Sequence, residues 1–178
     1  MFKKIAITAA VLTTFGGFAS NAVAGSTTSN VPVSATVLSK CNASATTVGF
    51  GTYDPIQTTS DYGGTGTVLL TCTKSAAVTV ALDLGAQPTG STRRMKNGSD
   101  FLIYELYLPT ANTAAAACPT LGTGTIWNAT NTLAPSATWD AATQFSFNIC
   151  GFLGKNQNVS GSSTGLLYTD TVIATITF

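Results

Sequence analysis

The clearest alternation of apolar and polar residues lies in the last stretch of the chain, residues 166–178 (LLYTDTVIATITF). Every second side chain of a β-strand shares a face, so one predicted face is apolar and carries Val172, Ala174, Ile176 and Phe178. The pattern predicts a strand that ends with the chain and has no later segment to pair with it. Exposed apolar edge strands recruit another strand, through aggregation or through strand addition. We interpret this edge as an acceptor for an added strand.

A second alternating stretch lies near the opposite end, at residues 31–38 (VPVSATVL). Its apolar face would carry Val31, Val33, Ala35 and Val37, which predicts another strand close to a chain terminus. Pro32 points off this face and lacks a ladder donor, which places it near the strand's start or on its free side. The preceding residues 25–30 (GSTTSN) have nothing to bury, and we expect a mobile lead.

Between these ends, short apolar runs alternate with turn residues. Residues 48–53 predict a short strand, and residues 67–73 and 77–84, separated by Lys74-Ser75, predict an antiparallel pair. Asn97-Gly98 predicts a hairpin into the most apolar strand, residues 101–108. Residues 124–127 and 144–150 complete the strands, whereas residues 112–117 fit a short helix or a disulfide-tethered loop. The pattern is typical of an all-β sandwich with Greek-key connections.

The first residues are typical of a secretory signal peptide, predicted at residues 1–24. Lys3 and Lys4 precede an apolar run, and Ala22-Val23-Ala24 provides the small-x-small cleavage pattern. No later stretch approaches the roughly 20 apolar residues that a membrane-spanning helix needs. We therefore predict an exported mature chain without a membrane span, divided into an N-terminal extension at residues 25–40 and one domain at residues 41–178.

The charge balance excludes two classes of partner. Without Lys3 and Lys4 six basic residues remain against seven acidic ones, and only 8% of the chain is charged. Nucleic acids and anionic membranes demand a basic surface, so we expect neither as a partner. A charge-poor surface desolvates few ions when it assembles, which favours a polymer subunit over a free enzyme.

The four cysteines, Cys41, Cys72, Cys118 and Cys150, are expected to be paired in an exported chain, and three connectivities are possible. Sequential pairing of Cys41 with Cys72 and Cys118 with Cys150 closes two loops of similar length, and we favour it. The chain has no histidine and no CxxC spacing, which argues against a metal site and excludes Ser-His-Asp and Cys-His catalysis. We expect no metal, no cofactor and no enzymatic activity.

The remaining candidates for chemistry each have a plainer interpretation. No motif surrounds any carboxylate, so we interpret Asp54 and Asp61 as turn residues and the others as solvated. Arg93 and Arg94 would point to opposite faces of a strand, where they could pair with Asp100 or Glu105 rather than grip an anion. Trp127 and Trp139 could form a sugar platform, but core or loop packing is commoner in a sandwich of this size.

Several patterns together resemble the spore coat protein U family of secreted subunits, which includes the pilins of archaic chaperone-usher pili. The matching stretches are residues 33–41 (VSATVLSKC), 50–55 (FGTYDP), 66–73 (GTVLLTCT), 91–95 (STRRM), 102–107 (LIYELY) and 168–178 (YTDTVIATITF). They span most of the mature chain in the family's order. The sequence departs from the family's pattern between residues 111 and 150, so the pairing of Cys118 with Cys150 rests on the residues alone.

The resemblance implies an incomplete immunoglobulin-like sandwich, completed by the N-terminal segment of the next subunit. Residues 31, 33, 35 and 37 would then be the donor strand, and residues 172, 174, 176 and 178 the acceptor and chaperone-binding edge. The leading hypothesis is a structural subunit of a surface pilus that supports adhesion and biofilm formation. Its implied partners are homologous pilin subunits, a periplasmic chaperone and an outer-membrane usher, with export through the periplasm to the cell surface. The alternatives are a non-polymerising coat or matrix protein of the same fold and a secreted carbohydrate-binding or hydrolytic domain.

Overall fold

The structure, a computed structural model, describes residues 24–178, so the predicted signal peptide lies outside the described residues except for Ala24. The described chain is all-β, with no helix. Its strands, numbered in chain order, are β1 (Cys41–Ala45), β2 (Tyr62–Cys72), β3 (Thr79–Leu82), β4 (Arg93–Asn97), β5 (Asp100–Tyr107), β6 (Phe145–Leu153) and β7 (Ala174–Thr177).

These strands form two sheets within residues 37–178. The larger sheet has the order β1-β2-β6-β5-β4, and the smaller one pairs β3 with β7. All strand pairs are antiparallel. The chain crosses between the sheets after β2, after β3 and after β6, which is the connectivity of a sandwich rather than of a simple meander.

The hydrophobic core follows the two-residue period of the strands. Alternate residues of β2 and β5 are buried, and from β3 both Val80 and Leu82 are buried. The long connection between β5 and β6 adds Trp127, Leu133 and Trp139 to this core. The indole N–H of Trp127 donates to the Val80 carbonyl at 2.9 Å, so its polar atom is satisfied inside the protein. Both tryptophans are therefore core residues.

Arg93 is fully buried and links its own strand, β4, to three other parts of the sandwich. Its Nε and Nη2 atoms donate to the Asp83 carbonyl at 3.0 and 2.7 Å, and Nη2 also donates to the Trp127 carbonyl at 2.6 Å. Nη1 lies 3.2 Å from Glu105 Oε2. Burial raises the pKa of the Glu105 carboxyl, and the hydrogen bonds and charge of Arg93 act in the opposite direction. The arginine thus holds β4, β5, the end of β3 and the loop around residue 127 together.

Two disulfides join Cys41 to Cys72 and Cys118 to Cys150, which is the sequential pairing. Cys41 and Cys72 are opposite each other in the β1–β2 register, so this bond fixes the start of β1 against β2. Its sequence separation of 31 residues corresponds to about 3 to 4 kcal/mol of stabilisation in the chain-entropy model. The second disulfide tethers the long connection to β6.

Several strand predictions need correction. Residues 67–73 and 77–84 do not pair with each other, because the turn at Lys74-Ser75 carries the chain from one sheet to the other. Residues 48–53 contribute only an isolated bridge between Gly49 and Thr65, and residues 31–38 form no strand. The final strand is shorter than predicted, and residues 112–117 are a loop. The predicted hairpin is present, but its two-residue turn is Gly98-Ser99, where Gly98 has a φ of 56°.

Replacing the buried guanidinium in Arg93→Met should lower the free energy of unfolding by about 3 to 5 kcal/mol, because the partly buried Glu105 carboxylate and the Asp83 and Trp127 carbonyls would lose their partner. Arg94→Met is the matched control, since Arg94 lies over the Phe101 ring at 4.0 Å and is only partly buried. That change should cost about 1 kcal/mol or less. Urea denaturation followed by tryptophan fluorescence measures both variants, and equal losses would contradict this account of Arg93.

Candidate strand-acceptor edge and donor segment

The chain itself covers one edge of each sheet. Lys96 of β4 exchanges two main-chain hydrogen bonds with Thr169, at 2.9 and 3.2 Å. Val80 of β3 does the same with Leu133, at 2.8 and 2.9 Å. Within residues 24–178, the outer edges of β1 and β7 have no partner strand. Open edges are templates for strand addition, so these two edges are the candidates for it.

The open edge of β7 carries the main-chain groups of Ala174 and Ile176. These are also the β7 residues whose side chains face the core. The Asp83 amide donates to the Ile173 carbonyl at 3.0 Å, which extends the β3–β7 ladder by one pair. Since hydrogen-bonded pairs alternate along an antiparallel ladder, Thr175 and Thr177 also direct their main-chain groups to β3. The N–H and C=O groups of Ala174 and Ile176 therefore point to the open edge.

The side chains along this edge follow the predicted alternation. Val172, Ala174 and Ile176 are half-buried and pack against the core, whereas Ile173 and the neighbouring threonines are exposed. Phe178, predicted on the same face, is 50% exposed, unlike the other three. Cys41 at the start of β1 also packs against the core. Both open edges thus border one hydrophobic core.

Asp83 lies opposite the residue that precedes β7. Its main-chain carbonyl would normally accept the Ile173 amide, but both nitrogens of the Arg93 fork already donate to it. The Ile173 amide donates instead to the Asp83 carboxylate, at 2.9 Å from Oδ1. The same oxygen accepts the Gly85 amide at 2.9 Å. A side-chain oxygen therefore replaces the missing ladder acceptor at the first pair of the edge.

Asp170 secures the segment just before β7. Its Oδ1 accepts the Ala86 amide at 2.8 Å, and its Oδ2 accepts the Tyr104 hydroxyl at 2.7 Å. A Cβ atom at Gly85 would collide with this carboxylate, and Gly85 has a φ of 79°, so glycine is required on both counts. Burial raises the pKa of the Tyr104 hydroxyl, and the hydrogen bond to Asp170 adds to the effect.

The predicted donor residues lie in a segment without regular secondary structure, residues 24–40. Val31, Val33, Ala35 and Val37 are all exposed, with Val33 at 91%. Four small apolar side chains at alternate positions and in contact with solvent match the requirements of a strand that pairs with an apolar edge.

The carboxylates predicted to be solvated mostly have structural roles. Besides Asp83, Asp170 and Glu105, Asp100 accepts the Ser160 amide and Asp140 accepts the amides of residues 142 and 143. Hydrogen bonds from Ser160 lower the pKa of Asp100. Asp54 accepts the Ile56 amide within its own turn, as predicted, and Asp61 accepts the amide of Lys155. Sequence reasoning missed these roles because each depends on a loop that is distant in the chain or on an unmarked turn.

A cavity of about 620 Å³ lies between residues 74–79 and residues 134–139. It opens because the residue opposite Val78 in the ladder is Pro135, which has no N–H to continue the pairing after Val80 and Leu133. Trp139 reaches its wall, but none of its lining residues is a carboxylate. The arrangement that a hydrolytic or sugar-binding domain would need, a tryptophan beside a carboxylate, is not found there. Among residues 24–178, no three His, Cys, Asp or Glu side chains are grouped as metal ligands would be.

Residues 24–178 contain no helix that could span a membrane. The family model of the Spore Coat Protein U domain matches residues 27–175. The chain belongs to the Spore Coat Protein U family. This membership confirms the resemblance in the sequence, and the match includes most of the predicted N-terminal extension.

Among relatives of this Spore Coat Protein U chain, Protein U of Myxococcus xanthus is 33% identical over 181 residues, covering 89% of each chain. A similar solved structure is the CsuC–CsuE chaperone–tip adhesion subunit pre-assembly complex from the archaic chaperone-usher Csu pili of Acinetobacter baumannii. The TM-score is 0.50 with 24% identity over 80% of this chain, which spans about 40% of the matched chain. This likeness concerns the fold alone. The fold is an incomplete immunoglobulin-like β-sandwich, as predicted.

The buried Tyr104 hydroxyl predicts a loss of stability in alkali. Its pKa is raised in the folded state, so the folded chain keeps a proton that the unfolded chain loses near the ordinary tyrosine value of about 10. Stability should be fully present below pH 10 and decline as the pH rises above it. Tyr104→Phe should be less stable at pH 8 but show a shallower decline between pH 9.5 and 11. Urea denaturation across this range measures the two slopes, and parallel slopes would contradict the prediction.

Proposed function

We propose that the protein is a structural subunit of a cell-surface pilus, assembled by donor-strand exchange in a chaperone-usher pathway. Residues 31–37 of one subunit insert beside β7 of the next, so that Val31, Val33, Ala35 and Val37 cover the apolar face of the acceptor edge. A periplasmic chaperone occupies the edge first, and an outer-membrane usher directs the exchange. The resulting fibre lies outside the cell and supports adhesion and biofilm formation.

The observation that carries this proposal is the unpaired edge of β7. Ala174 and Ile176 direct their free main-chain groups to this open edge, and their half-buried side chains pack against the core beside it. An added strand would satisfy those main-chain groups and complete the cover of the core. Burying one valine side chain contributes roughly 1.5 to 3 kcal/mol, and the donor segment offers three valines.

Family membership and the solved structure support the same role. The similar solved structure is a pre-assembly complex of a chaperone with a tip adhesion subunit. The two disulfides are consistent with export into an oxidising compartment.

A second candidate is a coat protein that does not polymerise. It is favoured by the name of the family and by the relative Protein U. In such a protein the N-terminal segment would fold back onto its own β7, and the purified protein would be monomeric. Electron microscopy of the purified exported protein separates the two candidates, because only the proposed pilus subunit forms fibres.

Val33→Asp and Val37→Asp should each abolish the polymer while the subunit stays soluble with its chaperone, because a buried carboxylate in the donor strand has no partner. Ser34→Asp is the matched control, since residue 34 would point away from the acceptor edge. The measurement is SDS-resistant laddering of unboiled surface material. Undiminished ladders from both valine variants would sink the donor assignment.

Ile176→Asp should abolish chaperone co-purification and leave the subunit to degradation, since it places a charge in the acceptor edge itself. The exposed neighbour Thr175 supplies the control, Thr175→Asp, which should retain the chaperone. Deleting residues 176–178 should act like Ile176→Asp. A stable monomer after that deletion would show that this edge is not where the partner strand binds.

A further inference from the structure

The acceptor edge is held at one end by an arrangement that ordinary sheet pairing does not require. Arg93 donates two hydrogen bonds, of 3.0 and 2.7 Å, to the Asp83 carbonyl. The Ile173 amide, which that carbonyl would normally accept, bonds to the Asp83 carboxylate instead. Asp83 therefore makes one ladder bond with its main chain and the other with its side chain, both to Ile173.

This substitution lies at the point where the chain changes sheets. Thr169 pairs with β4 of the larger sheet, and four residues later Ile173 pairs with the extension of β3 in the smaller sheet. The side-chain bond from Asp83 gives Ile173 a fixed position before β7 begins. The alternation of β7 follows from that position, because a shift by one residue would turn Ala174 and Ile176 away from the core.

We propose that Asp83 is a positioning residue for strand uptake, which sets the register of the acceptor edge before a donor strand arrives. This inference rests on the donor-strand function proposed above. A preset edge spares the incoming strand the cost of ordering its partner, so the effect of Asp83 should be seen in donor binding. The requirement is for an acceptor oxygen at this position rather than for its charge, since both partners, the Ile173 and Gly85 amides, are main-chain donors.

The test uses a chain whose own donor segment cannot insert into a neighbouring subunit. The full mature chain carrying Val33→Asp and Val37→Asp, purified free of chaperone, is the parent, and a fluorescent peptide of residues 29–40 is the probe. A peptide with the same two substitutions is the negative control. Asp83→Ala in this parent should weaken peptide binding about tenfold, the loss of roughly one hydrogen bond. Asp83→Asn, which keeps the acceptor oxygen, should bind within about twofold of the parent.

Asp140→Ala is the matched control for a general loss of loop order. Asp140 also accepts two loop amides, at 2.8 Å each, but none from β3 or β7. It should bind the peptide as the parent does. The assignment would be overturned if Asp83→Ala bound the peptide as tightly as the parent does. It would also be overturned if Asp83→Asn or Asp140→Ala weakened binding as much as Asp83→Ala.

Hydrogen exchange in the parent, which keeps Asp83, provides a measurement that does not depend on whether an Asp83 variant folds. The Ile173 amide should be protected before the peptide is added, and the Ala174 and Ile176 amides only afterwards. An unprotected Ile173 amide in the peptide-free protein would overturn the positioning role even if the peptide binds. A folded parent that does not bind the peptide at all would overturn the proposed function, and this inference with it.

Discussion

A guanidinium group without solvent contact needs hydrogen-bond acceptors, and Arg93 finds them in main-chain carbonyls as well as in Glu105. That demand shapes much of the sandwich. It draws the end of β3 and the loop at Trp127 toward β4 and β5, across the space between the sheets. Arg93 also takes the Asp83 carbonyl as an acceptor, so this carbonyl does not accept the Ile173 amide of the β3–β7 ladder. The Asp83 carboxylate accepts that amide instead. The hydrogen bonding at the start of the open β7 edge is thus tied to an arginine in the other sheet.

The core and the open edges are linked by the same period of two. In β7, Ala174 and Ile176 pack their side chains against the core and leave their main-chain groups without a partner strand. Incomplete packing and unpaired main-chain groups therefore occur at the same edge. Val172, Ala174 and Ile176 remain only half-buried for this reason. The two disulfides and the covered edges of β3 and β4 strengthen other parts of the sandwich without completing this one.

Local pattern predicted much of the fold. The strands at residues 101–108 and 144–150, the hairpin before Phe101 and the alternation of β7 follow from side chains a few positions apart. Strand partners could not be predicted so well. The turn at Lys74-Ser75 fits a hairpin and a crossover equally, and the choice depends on β1 and β6, which pair with β2 from far along the chain. The hydrogen bond from Ile173 to the Asp83 carboxylate could not be predicted for a similar reason. It forms where Arg93, from another strand, already donates to the Asp83 carbonyl.

The closure of the β4 edge by Thr169 and of the β3 edge by Leu133 has a consequence for the geometry of assembly. In polymer chemistry, a monomer's functionality is its number of reactive ends. In the proposed assembly each subunit uses one donor segment, residues 31–37, and one acceptor edge, that of β7, so it is bifunctional. Bifunctional monomers yield unbranched chains. Their average length is then set by the fraction of ends that have reacted and by the supply of subunits that cap one end.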